Sequence, residues 1–240
     1  CFSLHWFEIL MHDYLSLFEK VETCQDWYDF LDNPNYDSID FGYALMHKFW
    51  DSNIPPYTYL GNIGGNWIWN KPDSDPKPNG CGLGSEQAKI DEFKYYKSYD
   101  KYPIDSLLQK MVEVLQVDKP TAVVNYQTPN NITRLHFDIM TTFLEDRNDL
   151  NDIPFDRDTL QPVGMKPLRR FFIALTDWQD GHVFQMGTQQ WAGWRKGDVI
   201  DFHWRGVPHS TANTGFSDRA LLKVNGFSDI TYFGDIILNS

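Results

Sequence analysis

Cysteine is scarce in this chain of 240 residues: Cys1, Cys24 and Cys81 are the only three, with no close pair among them. That excludes a disulfide framework and a cysteine-based zinc site, and it suits a reducing compartment. Basic clusters are also lacking. Lys166-Pro-Leu-Arg-Arg170 is the densest group, against a background of 33 acidic and 21 basic side chains and a formal net charge of -12. Affinity for nucleic acid comes mainly from phosphate neutralisation by a basic face, so a nucleic-acid partner is disfavoured, as is an anionic membrane surface. No apolar run reaches the length of a membrane span, no secretory signal is read at the start, and no internal repeat is visible. The expectation is a cytoplasmic protein with no membrane partner.

Aromatic residues, by contrast, are abundant, with nine Trp, twelve Tyr and seventeen Phe. Side chains of that size fill the core of a two-sheet sandwich, and Trp191, Trp194 and Trp204 are candidates for its mouth as well as for its core. Apolar residues recur at helical spacing in Leu4–Phe18 and Asp40–Trp50, and Pro103–Leu115 reads as an amphipathic helix with Pro in its first turn. Gly61–Ser85, rich in Gly, Pro and Asp, reads as a long irregular loop anchored by Trp67 and Trp69. From residue 120 the pattern changes to short strands, at 121–127, 135–143, 170–177, 182–190, 198–204, 209–213 and 219–226, with the polar stretch Glu145–Met165 as a loop. The expected fold is mainly β with flanking helices, a double-stranded β-helix or jelly roll of the cupin kind. The expected organisation is a helical, loop-rich segment over residues 1–118 packed on a barrel over 119–240, together one compact domain.

The chemistry concentrates in Arg134-Leu135-His136-Phe137-Asp138 and in Pro208-His209-Ser210-Thr211-Ala212-Asn213. Strand side chains alternate with period two, so His136 and Asp138 share a face. If another strand brings His209 up to them, two imidazoles and a carboxylate meet one face of a metal. That facial triad leaves positions open for substrate and oxygen and points to non-haem Fe(II). His203, before the Gly206-Val-Pro turn, competes with His209 as third ligand, and His5, His12, His47 and His182 read as structural. Arg219, ten residues past His209, is suited to a bidentate carboxylate contact or to a surface ion pair.

On these residues the chain resembles the Fe(II)/2-oxoglutarate-dependent oxygenases. It is most similar to the branch holding aspartyl/asparaginyl hydroxylase-like and free-proline hydroxylase enzymes. The motifs that carry the resemblance are His136-x-Asp138, Gly197-Asp198 before a strand, Pro208-His209-Ser210-x-x-Asn213 and Arg219, within roughly residues 120–228. The resemblance implies the jelly roll, Fe(II) on His136, Asp138 and His209, 2-oxoglutarate as co-substrate with Arg219 on its distal carboxylate, and O2 as oxidant. It also implies that Ser210 and Asn213 orient the distal His or the co-substrate, and that Arg169 or Arg170 adds a second positive charge. Ascorbate is an expected in vitro additive. The product is a hydroxylated small molecule or peptide, with an amino acid or amino-acid side chain as the implied substrate.

Candidate substrate residues are Arg134, which by alternation shares the face of His136, and more weakly Tyr126 and Gln127. Two other readings stay open at this point. One is a metal-dependent cupin of another class, an isomerase or other dioxygenase. The other is a jelly-roll binding module without catalysis.

Overall fold

The computed structural model describes residues 55–71, 77–78, 91–96, 106–136, 153–154, 156, 161–204 and 207–238. The expected helices of residues 1–50, all but the first two residues of the 135–143 strand and most of the 145–165 loop lie outside these residues. In chain order the elements are β1 (Tyr57–Gly64), β2 (Lys77–Pro78), β3 (Asp91–Tyr96), α1 (Ser106–Val114), β4 (Asp118–Gln127), β5 (Asn131–His136) and β6 (Leu168–Ala174). There follow β7 (His182–Met186), β8 (Gln189–Trp191), β9 (Asp198–Phe202), β10 (His209–Asn213), β11 (Arg219–Phe227) and β12 (Gly234–Ile237).

Eight strands form one sheet in the order β12-β1-β9-β6-β11-β4-β3-β2, and four form a second in the order β5-β10-β7-β8. The two sheets face each other as a jelly roll. Period-two alternation in the central strands of the large sheet supplies two separate apolar faces. Ala122, Val124, Phe171, Ile173, Val199, Leu222 and Val224 point to one side, where Leu108, Met111, Val112 and Leu115 of the helix region cover them. Phe172, Ala174, Ile200, Phe202 and Leu221 point to the other and meet Phe184, Met186 and Trp191 of the small sheet. Phe184 sits edge-on to Phe172, with centroids 5.1 Å apart, a geometry that aromatic quadrupoles favour. The helix expected over 103–115 is present over Ser106–Val114, with residues 103–105 outside the described set.

Two segments differ from the sequence reading. Residues 182–190 form a hairpin, β7 and β8, instead of one strand, because Gly187 takes a positive φ of 56° and turns the chain. Residues 57–64 form β1, antiparallel to β9 and parallel to β12, although Gly61 and its neighbours read as loop. Gly61 is there for closeness: a Cβ at this position would lie 1.9 Å from the Gly234 carbonyl oxygen of β12. The large sheet therefore draws strands from both sides of residue 118. Replacing Gly61 by Ala would push two backbones apart. It is expected to cost about 1–3 kcal/mol, read as a lowered melting temperature and faster amide exchange in Gly234–Ile237.

Candidate functional site

Strand β10 lies between β5 and β7, and its burial alternates so that His209, Thr211 and Asn213 face the barrel interior while Ser210 and Ala212 face away. On β5, Thr133 pairs with Thr211 and His136 pairs with His209. Cα atoms of such pairs lie roughly 4.5–5.5 Å apart, so the ladder juxtaposes the two histidine positions proposed as ligands. Asp138 lies outside the described residues. Among those residues no three His, Cys, Asp or Glu side chains cluster as a metal site. The ladder slips by one residue between His209 and Thr211. Positions 134 and 135 thus stand against Ser210 alone, a bulge of two residues against one. The side chains of residues 134–136 lie outside those described, and with them the expectation that Arg134 shares the face of His136.

His209 is buried against aromatic rings, with Phe202 edge-on at 4.8 Å and Phe184 at 6.3 Å between centroids. Burial first, and the Arg170 charge second, push its pKa down to about 3. Its Nδ1 lies 3.3 Å from the Val207 carbonyl oxygen. A carbonyl can only accept, so Nδ1 carries the proton and Nε2 the lone pair, the neutral form a metal ligand needs. The rival ligand His203 is engaged elsewhere. Its Nδ1 is 2.6 Å from the Pro55 carbonyl oxygen and its Nε2 is 3.1 Å from Thr58 Oγ1, both at the start of β1. His182 is structural, stacked on Trp194 with its Nδ1 accepting from the Gln179 amide.

Arg219 is 1% exposed, on the inner face of β11 with Leu221. Its Nη1 donates to the Val183 carbonyl at 3.1 Å and its guanidinium lies over the Phe184 ring. Its Nε has no partner among the described residues. Burial pulls its pKa down to about 9, which leaves it cationic at neutral pH. A charge held this way is costly unless an anion meets it, so the residue fits a carboxylate ligand.

The remaining candidates separate by face. Arg170 is buried inside the barrel, and its Nε donates to Asn225 Oδ1 at 2.7 Å. Asn225 Nδ2 donates in turn to Thr121 Oγ1 at 3.2 Å, a relay across β6, β11 and β4. Arg169 turns the other way, into an ion pair with Asp201 and a hydrogen bond to the Ile230 carbonyl. Of the two arginines, Arg170 is thus the one beside the interior.

Asn213 is absorbed by structure. Its Nδ2 donates to the Gln127 and Ser217 carbonyls, and its Oδ1 accepts from the Gly215 amide. Ser210 lies on the face away from the site. Tyr126 belongs to the helix-covered core, with its hydroxyl on the Asp218 carboxylate, and is not brought to the site. Gln127 is inside, opposite Arg219 in register, with its Nε2 on the Asn131 carbonyl and no partner for its Oε1 among the described residues. Thr133 and Thr211 were not singled out in the sequence. The signal was available, since Thr211 is two residues from His209 and shares its face.

No protein-family model and no curated protein sequence matches the chain. Among solved structures it is similar to SnoK, a non-heme alpha-ketoglutarate-dependent carbocyclase from nogalamycin biosynthesis, at 14% identity over 72% of this chain and 79% of that one, TM-score 0.42. It is similar to a Pseudomonas putida prolyl-4-hydroxylase at 14% identity, 63% and 78% coverage, TM-score 0.38. It is also similar to a predicted oxalate decarboxylase from Thermotoga maritima at 13% identity, 65% and 94% coverage, TM-score 0.34.

If the His136 and His209 positions hold a metal, His136→Ala and His209→Ala each abolish stoichiometric binding of a divalent cation in equilibrium dialysis, while the melting transition stays cooperative. Binding lost in His203→Ala and kept in His209→Ala would reverse the assignment.

Proposed function

We propose that this chain is an Fe(II)- and 2-oxoglutarate-dependent dioxygenase that hydroxylates a C–H bond of an amino acid or of an amino-acid side chain in a peptide. The observation that carries the reading is the pairing of His136 with His209 at one level of the barrel and the buried, incompletely bonded Arg219 at another. Arg219 contacts Val183 and Phe184, the partners of Ala212 and Thr211. That places it two to three residues along the ladder from His209, roughly 7–10 Å at strand rise. A small dicarboxylate with one end at a metal and the other at a cation spans such a distance.

When bound, Fe(II) with 2-oxoglutarate and O2 would supply the oxidising chemistry. His136 and His209, with Asp138, would hold the metal. The Val207 carbonyl fixes the tautomer of His209. Arg219 orients the co-substrate, and Phe184 and Phe202 keep water from the metal end. Arg170 contributes positive potential there, since its charge acts on His209. A cytoplasmic location accords with the cysteine usage. Among the described residues no helix is long and apolar enough to cross a membrane.

The test is succinate formation from 2-oxoglutarate with added Fe(II) and ascorbate, followed by a mass-spectrometric screen of amino acids and peptides for an added oxygen. Metal binding without succinate would indicate a cupin of another class, and no metal binding would indicate a binding module. Arg219→Ala is expected to raise the half-saturating 2-oxoglutarate concentration at least thirtyfold, since truncating one partner of a buried charge contact costs ~2–5 kcal/mol. An unchanged value would move the role to Arg170.

A further inference from the structure

The last strand of the large sheet is short, mostly apolar and open. Strand β12, Gly234-Asp235-Ile236-Ile237, pairs with β1 on one side, and no other strand lies beside it among the described residues. An unpaired edge offers backbone donors and acceptors to any chain that can lie alongside, and folded proteins commonly blunt it with lysine, proline or a covering loop. Here Ile237 is 74% exposed, Tyr232 68% and Tyr59, on the neighbouring strand, 42%. The edge is also held in place. Gly61 lets the β1 backbone close on Gly234, and the Phe233 and Leu238 amides donate to the Leu60 and Gly64 carbonyls at either end. Phe233 and Leu238 themselves pack on the helix-covered core.

The charge along this edge has one sign. Residues 57–64 and 228–238 contain Asp229 and Asp235 and no Lys or Arg. Alternation puts Asp235 and Ile237 on one face of β12, where both are exposed. Tyr59 belongs to the same patch. Its hydroxyl donates to Asp198, and its pKa is raised, by burial first, then by the Asp198 carboxylate and in smaller part by Asp235. Arg195 stands at the rim, with its Nη2 3.8 Å from the Asp198 carboxylate. Tyr232 stays at the start of the strand, its hydroxyl 3.5 Å from the place a Cβ of Gly234 would take.

We infer that β12 is a docking edge for an extended peptide segment of a partner, which adds as a further strand and sets lysine or arginine over Asp235. Backbone pairing supplies affinity in this mode, and the side chains that face the patch supply preference. Lysine and arginine fit because their aliphatic stems cover apolar surface such as Ile237 and Tyr59 while the charged head reaches a carboxylate. A cation over a tyrosine face gains further. A second copy of this chain fits poorly, since pairing β12 with itself brings two Asp235 carboxylates near each other and joins two chains of formal net charge -12. Strands β1, β9 and β6 separate β12 from β11. The edge is therefore a site apart from the barrel interior, and docking there requires neither metal nor turnover.

The probe is a fluorescein-labelled, end-blocked peptide of alternating valine and lysine, titrated against the whole chain by polarisation. It is expected to bind about tenfold more tightly than the valine–glutamate counterpart, and to slow amide exchange in Gly234–Ile237. Asp235→Asn should weaken the lysine peptide about threefold, the scale of one exposed charge pair, and Asp235→Lys should reverse the preference between the two peptides. Methylating alternate backbone nitrogens of the peptide removes its ladder donors and leaves its charge, so the methylated peptide should not bind. Equal binding of the two peptides, binding that survives methylation, or an unchanged preference in Asp235→Lys would overturn the inference, as would no binding to wild type. A wild-type dimer in sedimentation that Ile237→Lys disperses would give the edge to a second copy and overturn it too.

Discussion

Burying a guanidinium costs several kcal/mol unless an anion or a full set of hydrogen bonds answers it. Arg219 is buried to 1% exposure, with its Nη1 on the Val183 carbonyl and the Phe184 ring beside it. The rest of the interior is arranged around that charge. Phe184, which it overlies, also flanks His209, so one ring separates the cation from the proposed metal ligand. Arg170 and its Asn225–Thr121 relay line the other end. A protein whose formal net charge is -12 thus buries two arginines, Arg170 and Arg219, on the face of the large sheet that meets the small one.

The large sheet makes this possible by having two buried faces of different character. Toward the helix, Val124, Phe171, Ile173, Leu222 and Val224 form an apolar core that accounts for stability without polar groups. Toward the small sheet, the same strands alternate apolar residues such as Phe172 and Leu221 with Thr121, Asn125, Arg170, Arg219 and Asn225. Most of the buried polar groups of these strands thereby lie on the side that meets the small sheet, among the apolar residues of a second core. The cost of the unsatisfied interior is carried by a core that lies on the other side of the sheet.

Much of the strand pattern was legible. The segments expected at 121–127, 209–213 and 219–226 appear as Asp118–Gln127, His209–Asn213 and Arg219–Phe227, because alternation of Val, Leu and Thr with polar residues is a local property. Glycine was misread where its reason is not local. Gly61 lies within a strand because the β12 backbone passes against it, and no neighbouring residue announces that. Gly187, in contrast, makes a turn that divides one apparent strand into two.

Residue types and spacing alone determined that His136 and His209 belong to strands, that Arg219 opens another, and that the chain is a β protein without a cysteine framework or a basic face. What needed the tertiary structure was every statement about which face a side chain meets. The pairing of β5 with β10 aligned the two histidine positions, 73 residues apart in the chain. Long-range packing sent Arg169 to Asp201 and Arg170 inward, though the two are adjacent and chemically identical. Thr133 and Thr211 are 78 positions apart in the chain, and only the ladder makes them a pair. Alternation fixes relative orientation along a continuous strand, but bulges, register and the identity of the opposing sheet are set by contacts distant in sequence.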